Sequence, residues 1–270
     1  GEYRHHLCLH AMNKTGYHNL VRIMSEAHIN GFYMRPRIDH ALLEKYHEGL
    51  HCSSACIAGE VAHAIDTGNL AEAERIAKWY KDLFGDNYSL EVMLHKAAKT
   101  VSDMPAEGAA MIQNEFVDLY NRQLKVVKET LALGKKLGIR VIATNDVHFL
   151  NAEDDDSHDV LLALSTGRKM SDSKRMVYTG QEYLKTEEEM RALFAENPEL
   201  ITNTLEVADR IEEYGLDSPP IMPKFAIPMS FGTEEGYAKE FDAEKLKAEF
   251  NVQKEGNFDR LGGYEKVLRI

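Results

Sequence analysis

The chain has 270 residues, 44% hydrophobic and 28% charged, a composition that suits one large globular domain or two small ones. No apolar run approaches the ~18 residues of a membrane helix, and the opening residues lack the apolar core of a secretory signal. The net charge of −12 excludes a free-standing basic nucleic-acid binder. The three cysteines make an odd count, expected as reduced thiols or metal ligands in the cytoplasm.

Charge and histidine are unevenly distributed. Residues 1–100 carry 11 basic and 12 acidic side chains, and residues 101–270 carry 21 and 32. Nine of the twelve histidines lie between His5 and His63. Histidine-rich sequence beside cysteines makes the first half the place to look for a metal site.

Elements alternate along the chain. Period two over His6–His10 predicts a strand with His6, Cys8 and His10 on one face. A helix is expected from about Thr15 to His28, with Tyr17, Leu20, Val21, Met24 and Ala27 on its apolar side. Asp39 is placed to cap a short helix through Tyr46. Leu50 to Cys56 reads as strand and turn, and Gly59 to Ile65 as a helix start. Asn69, three residues before Glu72, opens a helix that stops at Gly85. Tyr88 to Leu94 is a strand. A long helix covers about Gly108 to Leu137 and ends at Gly138. Ile139–Thr144 is the clearest buried strand. Helices follow near Ala152–Ser165, from Thr186 with a capping box to Glu189, and from Pro198 to about Glu213. Strands alternating with helices argue for an α/β fold with a largely parallel sheet. After Ser218-Pro219-Pro220, with Pro223 and Pro228, the pattern becomes an extended connector. Domain bounds of 1–214 and 215–270 follow.

The strongest chemical signal is Ala143-Thr144-Asn145-Asp146-Val147-His148. A hydrophobic strand runs into Asp-x-His, and strand spacing would turn Asp146 and His148 to one side. Carboxyl ends of parallel strands form the functional face of α/β folds, where carboxylate and imidazole suit zinc, manganese or iron. A strand-terminal turn with a merely hydrogen-bonded His148 explains the same residues equally well. His5-His6-Leu7-Cys8-Leu9-His10 offers three donors on one strand face, although one strand cannot close a tetrahedral site. In His51-Cys52-Ser53-Ser54-Ala55-Cys56, the nearby helix start would favour a thiolate. Packing alone accounts for both cysteines too. Arg35-Pro36-Arg37 is a weak phosphate-binding candidate. His95 ends its strand and either faces the same site or lies at the surface. Phosphate-loop, dinucleotide and nucleophile-elbow motifs are absent from the sequence.

Taken in order, several segments resemble the polymerase-and-histidinol-phosphatase (PHP) domain at the N-terminus of bacterial DNA polymerase III alpha subunits. They include His6–Tyr17, Gly31–Asp39, Ser54–Glu60, Ala143–Phe149, His158–Leu162 and Tyr178–Leu184, with Gly263–Ile270 similar to the entry of the polymerase palm. The resemblance implies a partial distorted (β/α)7 barrel of PHP type, followed by an extended linker toward the palm. It implies divalent metal ions, zinc or manganese first and magnesium as a third option, held by His6, Cys56, Asp146 and His148. His5, Cys8, His10, His51 and Cys52 match no family ligand. The family's opening His-x-His strand and the palm acids are not in this sequence, so the chain is expected to be an internal fragment, inactive alone. The resemblance further implies DNA-directed DNA synthesis by the whole protein, with 3′→5′ exonuclease or phosphoesterase potential in its PHP domain. Expected partners are DNA, other replicase subunits and a proofreading exonuclease subunit, with no membrane. A non-catalytic PHP scaffold is the competing reading. A stand-alone phosphatase for small esters is the third, disfavoured by the palm-like ending.

Overall fold

A computed structural model describes residues 4–223 together with Ser230, Gly232, Thr233, Glu235, Gly236 and Lys239. Compact units divide between Tyr214 and Gly215. In the second unit, residues 215–223 form neither helix nor strand, and the palm-like end lies outside the described residues.

The first unit is a mixed α/β structure. Its elements are β1 (Cys8–Ala11), α1 (Lys14–Ile29), α2 (His40–Tyr46), β2 (Leu50–Ser53), α3 (Glu60–Asp66), α4 (Leu70–Phe84), β3 (Tyr88–Val92), α5 (Ala106–Leu137), β4 (Arg140–Ala143), α6 (Asp155–Ser165), α7 (Glu187–Leu193) and α8 (Glu199–Ala208). The strands form one sheet in the order β1-β2-β3-β4. Strands β2, β3 and β4 are parallel, but β1 runs antiparallel to β2, pairing Cys8 with Ser53 and His10 with His51. The sheet is therefore mixed, because alternation along a strand carries no information about its direction. No described helix is long and apolar enough to cross a membrane.

Local chemistry explains most helix ends. Asp39 accepts from the Leu42 amide, Asn69 from Glu72, and Thr186 forms a capping box with Glu189. Gly138 ends α5 at φ +62°, a left-handed conformation that glycine adopts without steric cost. Helix α1 is rotated from its expected orientation. Gly16, Asn19, Ile23 and Ala27 face inward, while Val21 and Met24 are about half exposed, at 46% and 47%. The inner face is close-packed against backbone: a Cβ on Gly16 would lie 1.9 Å from the Gly49 carbonyl oxygen.

The sheet has two chemically different faces, and both are buried in its centre. Leu50, Cys52, Tyr88, Leu90, Val92, Val141 and Ala143 pack into the main apolar core with Val61, Ile65, Ile76, Tyr80 and Leu133 from the helices. The opposite face presents Cys8 and His10, His51 and Ser53, and Ser89 and Glu91, in register across three strands. His51, Ser53, Ser89 and Glu91 are all buried.

Candidate metal centre

The candidate ligands sit on turns at one end of this polar face. The backbone brings His6 to Cys56: the His6 amide donates to the Ala58 carbonyl at 3.1 Å, and His6 bridges Gly59. The result is 3.4 Å between His6 Nδ1 and Cys56 Sγ. Burial pushes the Cys56 thiol upward, with the Asp146 charge adding to the shift. The nearby helix start does not overcome burial, so a lowered thiol pKa, expected from the sequence, is not observed.

The Asp-x-His turn departs from strand geometry. Strand β4 ends at Ala143, and Asp146 has φ +43°, a left-handed conformation that short polar side chains tolerate. His148 Nδ1 donates to the Asp146 carbonyl at 2.6 Å. Its Nε2 then accepts from the Tyr178 hydroxyl at 3.0 Å. Both ring nitrogens are thus engaged: Nδ1 is anchored to a carbonyl, as in a metal-binding histidine, and Nε2 is held by Tyr178, whose hydroxyl a metal would have to displace. His148 and His158 rings stand 5.9 Å apart, and burial lowers the His158 pKa, with His148 as a further cause.

Neighbouring residues hold this turn. Buried Asn145 donates through Nδ2 to the Gln181 and Tyr183 carbonyls at 2.8 and 2.7 Å. The His148 amide donates to the Glu182 carbonyl at 2.7 Å. His95 is buried, not at the surface. It contacts the Asn145 carbonyl through Nε2 at 3.2 Å and Gln123 through Nδ1 at 3.0 Å, and burial lowers its pKa. The Tyr178 hydroxyl is pushed up by burial first and then by Asp146, Glu182 and Cys56, so one ring lies in the field of both turns. Beside them runs a groove of about 680 Å³ between α5 and residues 176–182, lined by His95, Asp146, Glu115, Asp118, Met176 and Tyr178 among others.

Sequence reasoning missed Glu91. Its carboxylate is buried at the end of β3. One oxygen accepts from Ser53 Oγ at 2.5 Å and the Ala55 amide at 2.9 Å, and the other from Thr144 Oγ1 at 2.7 Å. Alternation in Tyr88-Ser89-Leu90-Glu91-Val92 was the available signal, since a glutamate inside a strand must face either water or donors. Tyr178 lay in no motif with a catalytic reading.

Donor chemistry fits a divalent ion at one corner, where imidazole and thiol meet. Among the described residues, however, no group of three or more His, Cys, Asp or Glu side chains converges enough to hold a metal. Arg35 and Arg37 lie on the exposed loop between α1 and α2, with the Arg37 guanidinium 4.9 Å from the Tyr33 ring centroid. Cys52 is fully buried in the apolar core, and burial raises its thiol pKa.

The mixed sheet thus carries histidine, cysteine and aspartate on its end turns. Residues 1–95 match the PHP domain family. Asp146 and His148 lie outside the matched span. Along most of its length the chain is similar to DNA polymerase III subunit alpha: 35% identical over 249 residues to that of Borreliella burgdorferi, covering 92% of this chain and 20% of the relative. The Treponema pallidum subunit is 35% identical over 241 residues (88% and 19%), and that of Chlamydia pneumoniae 36% over 250 (87% and 20%). The chain spans about one fifth of the length of these curated relatives.

Proposed function

We propose that this chain forms part of a replicative DNA polymerase III alpha subunit, a DNA-directed DNA polymerase as a whole protein, and contributes part of its PHP domain. The similarity to three such subunits over 87–92% of the chain is the observation that carries this reading. DNA and the other replicase subunits are then its partners, in the cytoplasm. Parallel β2, β3 and β4 with candidate residues on the turns at their carboxyl ends support a partial PHP-type barrel. Residues 1–214 are the PHP part, and 215–270 the connector toward the palm.

Within it, His6 and Cys56, with Asp146 and His148 from the turn after β4, would hold a zinc or manganese ion, magnesium being less suited to a thiol. Such an ion supplies Lewis-acid charge stabilisation to a phosphoester, the chemistry of a 3′→5′ exonuclease. The chain's own groups position the ligands: the Asp146 carbonyl anchors His148 Nδ1, Tyr178 holds Nε2 where a metal would replace its hydroxyl, and Asn145 ties the turn to residues 181–183. Arg35 and Arg37 are secondary candidates for a phosphate.

A scaffold that stabilises the polymerase and docks a proofreading subunit is the second reading. It is favoured by the absence of a convergent three-ligand group among the described residues. Elemental mass spectrometry on the purified chain and on an Asp146→Ala/His148→Ala variant separates the two. Zinc or manganese near one equivalent, lost in the variant, supports the metal centre. No metal in either protein leaves the scaffold.

A further inference from the structure

We infer that Glu91 is a positioning residue that clamps the two ligand-bearing turns to each other, a role that rests on the metal-centre reading above. Cys56 follows β2 and Asp146 follows β4, and these strands do not touch: β3 lies between them. Any ligand set drawn from both turns therefore depends on what crosses β3. Glu91 does so with one carboxylate. One oxygen holds the β2 side, through Ser53 Oγ and the Ala55 amide. The other holds Thr144 Oγ1, two residues before Asp146, on the β4 side.

The backbone carries the same stitch. The Glu91 amide donates to Ser54 Oγ at 2.8 Å, the Ser54 amide to the Ser89 carbonyl at 3.1 Å, and the Thr144 amide to the Val92 carbonyl at 3.1 Å. Both turns contain a non-glycine residue in the left-handed region, Ala55 at φ +60° and Asp146 at φ +43°. That conformation is unfavourable for alanine and persists where surrounding bonds dictate it. In the Cys56 turn, the strained residue is the one whose amide Glu91 binds. The carboxylate is 6% exposed, so its donors have little access to water as a substitute.

Glu91→Gln keeps a carbonyl oxygen for Ser53 and Ala55, and its amide group can donate to a rotated Thr144 hydroxyl. It is the rescue variant. Glu91→Ala removes the clamp, Ser53→Ala releases the Cys56 side and Thr144→Val the Asp146 side. Cobalt(II) titration of the full chain reads affinity, and the thiolate-to-cobalt absorption band reads Cys56 as a ligand. Losing an outer-shell partner costs about 10–100-fold in metal affinity. Glu91→Ala is expected to weaken cobalt by that factor and to lose the band, with Glu91→Gln close to wild type. A folded Glu91→Ala with wild-type affinity and spectrum overturns the clamp. If Glu91→Ala does not fold, Ser53→Ala and Thr144→Val decide, and wild-type affinity in both overturns it. If wild type binds no cobalt, the metal-centre reading fails separately. The clamp is then judged by the alkylation rate of Cys56, read by peptide mass spectrometry. Faster reaction in Glu91→Ala, restored by Glu91→Gln, supports it, and equal rates overturn it.

Discussion

Acidification should destabilise this domain through His51. The ring is fully buried, and neither nitrogen has a hydrogen-bond partner. Burial, followed by His10 across the strand pair and by Arg140 and Arg210, lowers its pKa from 6.5 to about 4. Because the folded pKa is depressed, the unfolded chain takes up the proton first. The stability is complete above the unfolded value and drains away as pH falls toward the folded one. Lowering the pH from 7 to 5 then costs about 2 kcal/mol from this residue alone, by linkage between the two pKa values. With a urea slope of about 2 kcal/mol/M for a domain of this size, the midpoint falls by roughly 1 M. Buried His95 and half-buried His158, both lowered in pKa, add to the same slope, so the comparison is with His51→Leu, which cannot titrate. Urea unfolding followed by circular dichroism at both pH values gives the difference. If His51→Leu loses as much stability as wild type over that range, the buried neutral imidazole is not the cause.

Arg175 is fully buried as a side chain and bonds Asp159, and Asp103 at 3.0 Å. Arg175→Met strands the Asp159 carboxylate and should cost about 3 kcal/mol, partly recovered in Arg175→Met/Asp159→Leu, as thermal unfolding will show. Gly16→Ala drives a methyl into the Gly49 backbone and should lose about 3 kcal/mol or more, read by urea midpoint. Asn69→Ala removes the cap bond to the Glu72 amide at 3.2 Å and should lower stability by about 1 kcal/mol in the same assay.

Helix ends were legible because capping is local: Asp39, Asn69, Thr186 and Gly138 act on backbone groups within four residues of themselves. The face of α1 was misread because apolar content is a poor guide to close approach. Its inward residues include Gly16 and Asn19, whose Nδ2 donates to the Glu48 carbonyl at 2.9 Å. The direction of β1 was not legible, since nothing in Cys8–Ala11 distinguishes a parallel neighbour from an antiparallel one. Candidate ligands were legible as residue types at strand ends, but their spacing in space was not. His6 meets Cys56 through a backbone bridge across fifty residues, and Tyr178 reaches His148 across thirty.

The polar sheet face links the site to its stability cost. A buried strand face that carries His51, Ser53, Ser89 and Glu91 gives up the apolar burial that dominates folding. At one end the loss is offset by bonds, because both Glu91 oxygens accept, from Ser53 and the Ala55 amide on one side and Thr144 on the other. At the other end His51 meets none, and the face stays buried only while that ring is neutral. A sheet selected for stability alone would place apolar residues at both ends. The carboxylate end is also the end where β2, β3 and β4 finish, and where Cys56, Asp146 and His148 emerge. The bonded half of the polar face therefore coincides with the turns that require fixed geometry, and the unbonded half is the side effect of extending the same alternation back along the strands.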